Sequence, residues 1–321
     1  MREKLARLAG EIRSSYSVIR GRAAAARLSD PSLVVKVKKA DVSLRVCAID
    51  GGLLAGRMHG ADIVVVRAVA AVFDYQGSVL KTHSYHPQKS PQPNIEIRNS
   101  LEEHEALVFR SLIRLHHELS CAISSLEADA PGMLLIDGSL LPLPGDRPSE
   151  GSALRPLYEE VIALYRKLYA SCSAKRCMLC GIIKDSRSKK LANELGAGCP
   201  DTVLCGYLLG EDERTKELGY FEGKAPGGDI AELGRQVKVF YIRPSRNDLP
   251  LRIEAFGCDI DSAASLVCAL SSLSENYAYP AALIEADLRA ALDPAELEAI
   301  ESSLSALSGM KPLRRNSRPF R

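Results

Sequence analysis

The strongest constraint on this chain is the order in which its apolar periods change. Residues 44–49, 63–73 and 79–85 are strand-type apolar runs with no helical stretch between them, and a turn signal at Asp74–Gly77 joins the last two. Helical spacing takes over at about 100–127, with Leu101, Leu112, Leu115 and Leu119 on apolar positions, until Ala130-Pro131-Gly132 breaks it. Strand and helix then alternate. Met133–Ile136 is a short buried strand, residues 154–171 carry Leu157, Val161, Leu164 and Leu168 on one stripe, and Cys177–Ile183 is a further strand. A three-stranded antiparallel meander followed by alternating helix and strand predicts an RNase H-like mixed α/β sheet. A doubly wound sheet would alternate from its start.

Flanking segments complete the plan. Leu5, Leu8, Ile12 and Ile19 predict a helix over 3–27, ended by Asp30-Pro31. Residues 86–98 hold three prolines and read as a loop, as does the Pro/Gly-rich stretch Leu140–Glu150. Ser188–Leu195 and Thr202–Leu209 read as short helices. Val237–Ile242 and Leu251–Ala255 read as a late antiparallel hairpin at the far end of the sheet. Helices over about 259–273 and 280–306 close the chain. The organisation expected is an N-terminal helix and basic arm (1–40), one domain (41–308) and a basic tail (309–321).

The apolar runs, such as Ile63–Val66 and Val69–Phe73, are far too short to cross a bilayer, and the N-terminus lacks the pattern of a signal peptide. No membrane association and a cytoplasmic location are expected. In that compartment the nine cysteines are expected to stay reduced. Cys177 and Cys180 form a CxxC, but Cys199 and Cys205 are spaced more widely than a second zinc pair requires, and Cys177–Ile183 reads as buried strand. The net charge of +2 decides nothing, whereas its distribution is informative. Residues 1–39 hold ten Lys/Arg against three acids, and the last eleven hold five Lys/Arg and no acid. Basic ends of this kind suit either a polyanionic partner or simple solvation.

Two segments share one grammar. Val46–Ile49 delivers Asp50 before Gly51-Gly52, and Met133–Ile136 delivers Asp137 before Gly138-Ser139. A lone Asp-Gly is an ordinary turn. Two at matched strand ends, on neighbouring strands, would bring two carboxylates to one sheet edge, where they repel unless a cation lies between them. Mg²⁺ and Mn²⁺ are hard ions suited to such oxygens, and they activate water for phosphodiester hydrolysis. An RNase H-like site usually adds a glutamate from the intervening helix. Glu118, 19 residues before Asp137, is preferred, with Glu105 second. Lys184 ends another buried strand ahead of Asp185-Ser186-Arg187-Ser188-Lys189-Lys190, a cluster suited to phosphate contact or to an ordinary helix start. Arg252 and Glu254 share one strand face and are expected to form a structural ion pair. Tyr279 precedes the final helix, as a stacking or packing residue, and Asp287 lies two turns into that helix.

No GxxxxGK[ST], HExxH or GxSxG occurs, and the six histidines show no metal spacing.

With these residues in view, the chain resembles the archaeal NurA family. The pieces that carry the resemblance are AIDGG (48–52), LLIDGSLLP (134–142), IIKDSRSKKLA (182–192), DTVLCGYLLGEDERT (201–215), FYIRP (240–244), LRIEAF (251–256) and YPAALIEAD (279–287), in the family's order. The resemblance implies a manganese-dependent nuclease of RNase H-like fold, with magnesium as an alternative ion. It implies cleavage of single-stranded DNA and 5′ to 3′ resection of duplex DNA. It further implies a homodimer docked on the hexameric ATPase HerA in double-strand-break repair. Under it, Asp50, Asp137 and Glu118 are metal ligands, Lys184 lies beside them, and Tyr279 is the family's C-terminal tyrosine. Some members carry a histidine where this chain has Asp287. An aspartate still binds metal but is no imidazole base.

Two other classes compete. An actin-like phosphotransferase shares the core, but its turns usually read DxG, against DGG and DGS here. A non-catalytic subunit that loads DNA onto a motor would have no need of the two intact aspartates.

Overall fold

The computed structural model describes residues 1–99, 101–221 and 228–313. Its spine is a ten-stranded mixed sheet. In chain order the strands are β1 (Val34–Lys36), β2 (Arg45–Met58), β3 (Ala61–Gln76), β4 (Val79–His86), β5 (Asn94–Asn99), β6 (Met133–Asp137), β7 (Met178–Ile183), β8 (Glu213–Thr215), β9 (Lys238–Arg243) and β10 (Leu251–Phe256). The helices are α1 (Arg2–Ser29), α2 (Glu103–Asp129), α3 (Arg155–Lys175), α4 (Lys190–Glu194), α5 (Asp201–Leu208), α6 (Asp229–Gly234), α7 (Ile260–Leu270), α8 (Ala281–Ala290) and α9 (Pro294–Ser308).

The sheet runs β1-β8-β9-β10-β7-β6-β2-β3-β4, with β5 paired to β3. Strands β2, β3 and β4 are the expected antiparallel meander. Strand β6 then lies parallel to β2, and β7 parallel to β6. Helices α2 and α3 are the crossovers that parallel pairing requires. This is the RNase H-like order that the alternation of periods predicts.

The buried strands read as near-continuous apolar runs because both sheet faces are covered. On one face Cys47, Ile49, Leu134 and Ile136 pack against Phe109, Leu112, Ala122 and Leu126 of α2 and Val161, Tyr165 and Leu168 of α3. On the other, Val46, Ala48, Met133 and Leu135 pack with Val267 of α7 and Leu283 and Ala286 of α8. Fully burying one such Leu or Ile side chain contributes about 1.5–3 kcal/mol.

Four expectations need correction. Strand β2 does not stop at Asp50: it continues through Gly51-Gly52 to Met58, because all fourteen residues pair with β3, from Arg45↔Asp74 to Met58↔Ala61. The reversal comes at Gly60, whose φ is +103°. Residues 86–98 are not all loop: after the last proline, β5 pairs with Ala61–Val66 of β3. Strand β4 covers only residues 70–76 of the sixteen-residue β3, and β5 takes up the backbone groups of the remaining half. The long C-terminal helix is two helices, because Asp293 caps a new start with Pro294 and Glu296 in a capping box. Finally, β9 and β10 pair as expected, but β8 and β1 continue the sheet beyond them.

The basic tail residues Arg314, Arg315, Arg318 and Arg321 lie outside the described residues. Among those described, no helix is long and apolar enough to cross a membrane.

Candidate metal centre

Parallel pairing of β2 with β6 sets Ile49 against Ile136, so Asp50 and Asp137 emerge side by side at one edge. Asp50 is 8% exposed and sits in mid-strand. Asp137 ends β6, and Gly138 turns the chain away with φ +133°.

The two glycines after Asp50 open space rather than turn the chain. A Cβ on Gly51 would lie 2.5 Å from Glu118 Oε1, so the missing side chain is what lets Glu118 of α2 reach β2 beside Asp50. A Cβ on Gly52 would meet the backbone carbonyl of Ala290, so the second glycine admits the C-terminal end of α8. That helix brings Asp287 beside Asp50, near enough for its charge to act on the Asp50 carboxyl. From the end of β7, Lys184 Nζ donates to Asp137 Oδ2 at 2.8 Å and sits 4.3 Å from the ring centre of Tyr279. The Tyr279 hydroxyl donates to the Ile182 carbonyl at 3.4 Å.

Burial and the charges of neighbouring carboxylates hold Asp50 and Glu118 well above the usual carboxylate range. Burial, then the charges of Asp137 and Asp287, raises the Asp50 pKa to about 7. Burial, then Asp50 and Asp137, raises Glu118 to about 8, against the opposing pull of Arg114, whose guanidinium lies 3.6 Å away. Burial works against the Lys184 ammonium, yet the Asp137 carboxylate outweighs it and holds the amine above its ordinary pKa. Glu118 Oε1 is buried with no hydrogen-bond partner, a state that ordinarily costs about 1–3 kcal/mol or more. A divalent cation would satisfy that atom and remove the repulsion. Among the described residues no three acid, imidazole or thiol groups already stand at ligand spacing, so closing on an ion takes side-chain rotation. Beside the acids opens a cavity of about 700 Å³, lined among others by Glu118, Asp137, Arg114, Ser186, Arg187 and Glu254.

Residues 44–292 match the family model for the NurA domain. The chain belongs to the NurA family. Solved NurA structures share its fold across nearly the whole length. The NurA nuclease from Sulfolobus solfataricus superposes with a TM-score of 0.62 at 16% identity, over 95% of each chain. A NurA bound to dAMP and manganese gives 0.60 at 12% identity, over 96% of this chain and 97% of the other. A NurA with manganese gives 0.59 at 12%, over 95% and 98%. No curated protein matches by sequence.

Within this NurA fold, Asp50, Glu118, Asp137 and Asp287 come together from β2, α2, β6 and α8, with Lys184 from just past β7 and Tyr279 from the loop before α8. Glu105 does not: it accepts from Ser152 Oγ at 2.6 Å near the start of α2, roughly 20 Å along the helix from Glu118. Cys177 and Cys180 also separate, Cys177 meeting Cys172 and Cys180 meeting Cys258. Sequence reasoning missed Arg114, although its place one turn before Glu118 was a usable signal. It also missed the Gly51-Gly52 clearance, which no local pattern announces.

Proposed function

We propose that this NurA family chain is a metal-dependent DNA nuclease that uses Mn²⁺, with Mg²⁺ as the alternative. Asp50, Asp137 and Glu118 would hold the ion, with Asp287 as a further carboxylate. The observation that carries the reading is the buried Glu118 oxygen that no hydrogen bond satisfies, with only the Arg114 guanidinium 3.6 Å away, set beside the mutually repelling Asp50 and Asp137. Such an ion acidifies bound water and neutralises charge on the phosphodiester.

The chain's own residues supply the rest. Lys184 donates to Asp137 and offers an ammonium to a phosphate, while Arg114, Ser186 and Arg187 line the approach. Tyr279 and β7 set the position of Lys184. Asp287 cannot serve as an imidazole base, so its role would be to share the ion and orient water through Asp50.

The finer reading follows the family: single-strand endonuclease and 5′ to 3′ exonuclease activity in DNA end resection, as a cytoplasmic homodimer working with a HerA-type hexameric ATPase. The basic arm of residues 1–39 suits the DNA partner.

The test is cleavage of end-labelled single- and double-stranded DNA with Mn²⁺, Mg²⁺ or chelator. Metal-dependent cleavage that disappears in Asp50→Ala and Asp137→Ala, with DNA binding kept, is expected. A folded protein that binds DNA and never cuts it with either ion overturns the proposal.

A further inference from the structure

We propose that Glu254 is a positioning residue of this site: its buried carboxylate fixes the turn that carries Asp137. The inference rests on the metal-site reading above and adds a residue to it.

Two buried glutamates line the same cavity, and their surroundings differ. Glu118 leaves one carboxylate oxygen without a hydrogen bond, its Arg114 neighbour standing off at 3.6 Å. Glu254, 1% exposed, has both oxygens taken. Its Oε1 accepts from Arg252 Nε at 3.0 Å and Nη2 at 2.9 Å. Its Oε2 accepts from the Ser139 hydroxyl and the Leu140 amide, each at 2.8 Å. Four donors use the lone pairs a metal ion would need. Glu254 therefore holds protein, and what it holds is the segment directly after Asp137.

The sheet explains how it reaches. Glu254 pairs with Gly181 of β7, and Gly181 pairs with Ile136 of β6. Gly181 has no side chain, and a Cβ there would sit 2.5 Å from the Gly138 carbonyl. The carboxylate thus passes over β7 at its glycine and grips residues 139–140 from two strands away. Tyr220 completes the clamp: its hydroxyl lies 2.9 Å from Ser139 Oγ, and its ring lies 5.4 Å from the Arg252 guanidinium. The Arg252–Glu254 pair is accordingly the anchor of a ligand-bearing turn as well as a strand-face ion pair. Ligands of a reactive centre must be held within about 0.5 Å, and partners behind them commonly set metal affinity by roughly 10- to 100-fold.

The experiment is Mn²⁺ titration calorimetry on the full chain at pH 8, paired with single-strand DNA affinity in chelator. Glu254→Gln sets an amide NH₂ against the guanidinium and loosens the turn. Its Mn²⁺ affinity should fall roughly tenfold while DNA affinity holds. Should that variant fail to fold, Arg252→Leu combined with Glu254→Leu removes both buried charges together, which such pairs tolerate, and still leaves the turn unheld. Wild-type Mn²⁺ affinity in a folded variant, or an equal loss of DNA affinity, overturns the inference. A wild-type chain that takes up no Mn²⁺ overturns the metal-site reading itself.

Discussion

Replacing Asp50 by Asn should make the ion-free protein more stable at pH 8. The pKa of Asp50 rises from its ordinary 3.8 to about 7, and that of Glu118 from 4.5 to about 8. Between those limits the folded chain keeps protons that the unfolded chain has released. Unfolding free energy therefore falls as pH climbs from about 4 to 8. At about 1.4 kcal/mol per pKa unit, Asp50 alone accounts for roughly 4 kcal/mol. Because its shift is shared with Asp137 and Asp287, about 2 kcal/mol is the portion expected from removing one charge. Asn keeps the shape and the oxygen that accepts from the Gly51 amide at 2.7 Å. For a chain of this size each kcal/mol moves the unfolding midpoint by about 2 °C, which gives a gain of about 4 °C in chelator at pH 8. The gain should vanish near pH 4, where the wild-type acid is protonated. Saturating Mn²⁺ should reverse the ranking, since an ion at 100 times its dissociation constant adds about 2.7 kcal/mol to the wild type alone. The assay is thermal unfolding by circular dichroism from pH 4 to 8, with and without Mn²⁺. A wild-type midpoint that does not fall between pH 5 and 8, or a variant no more stable than wild type at pH 8, refutes the electrostatic account.

Two further substitutions probe the geometry. Gly51→Ala should displace Glu118, cost about 1–3 kcal/mol of stability and abolish metal-dependent cleavage, read by melting and by nuclease assay. Lys184→Met should leave the fold intact and slow single-turnover cleavage about 100-fold, the scale of losing one group that stabilises developing charge. An unchanged rate would remove Lys184 from the site.

What the residues determine locally could be read from the sequence. The meander, the crossover helices and the strand ending at position 137 follow from side-chain periods of two and 3.6, which depend only on near neighbours. The pairing of Asp50 with Asp137 followed too, because short apolar strands joined by crossover helices have few ways to stack.

Tertiary structure decided the rest, since it depends on which elements approach closely. It set Glu118, and not Glu105, beside Asp50 by laying the middle of α2 across Gly51, and it turned the Gly-Gly from a reversal into a clearance. It recruited residues 94–99 as β5 to satisfy half of a long edge. It also carried Glu254 over Gly181 to the turn after Asp137. A residue's own neighbours fix its period and its face. The charge it meets across the sheet is set by backbones brought together from distant parts of the chain, and that charge governs whether its carboxyl group is ionised.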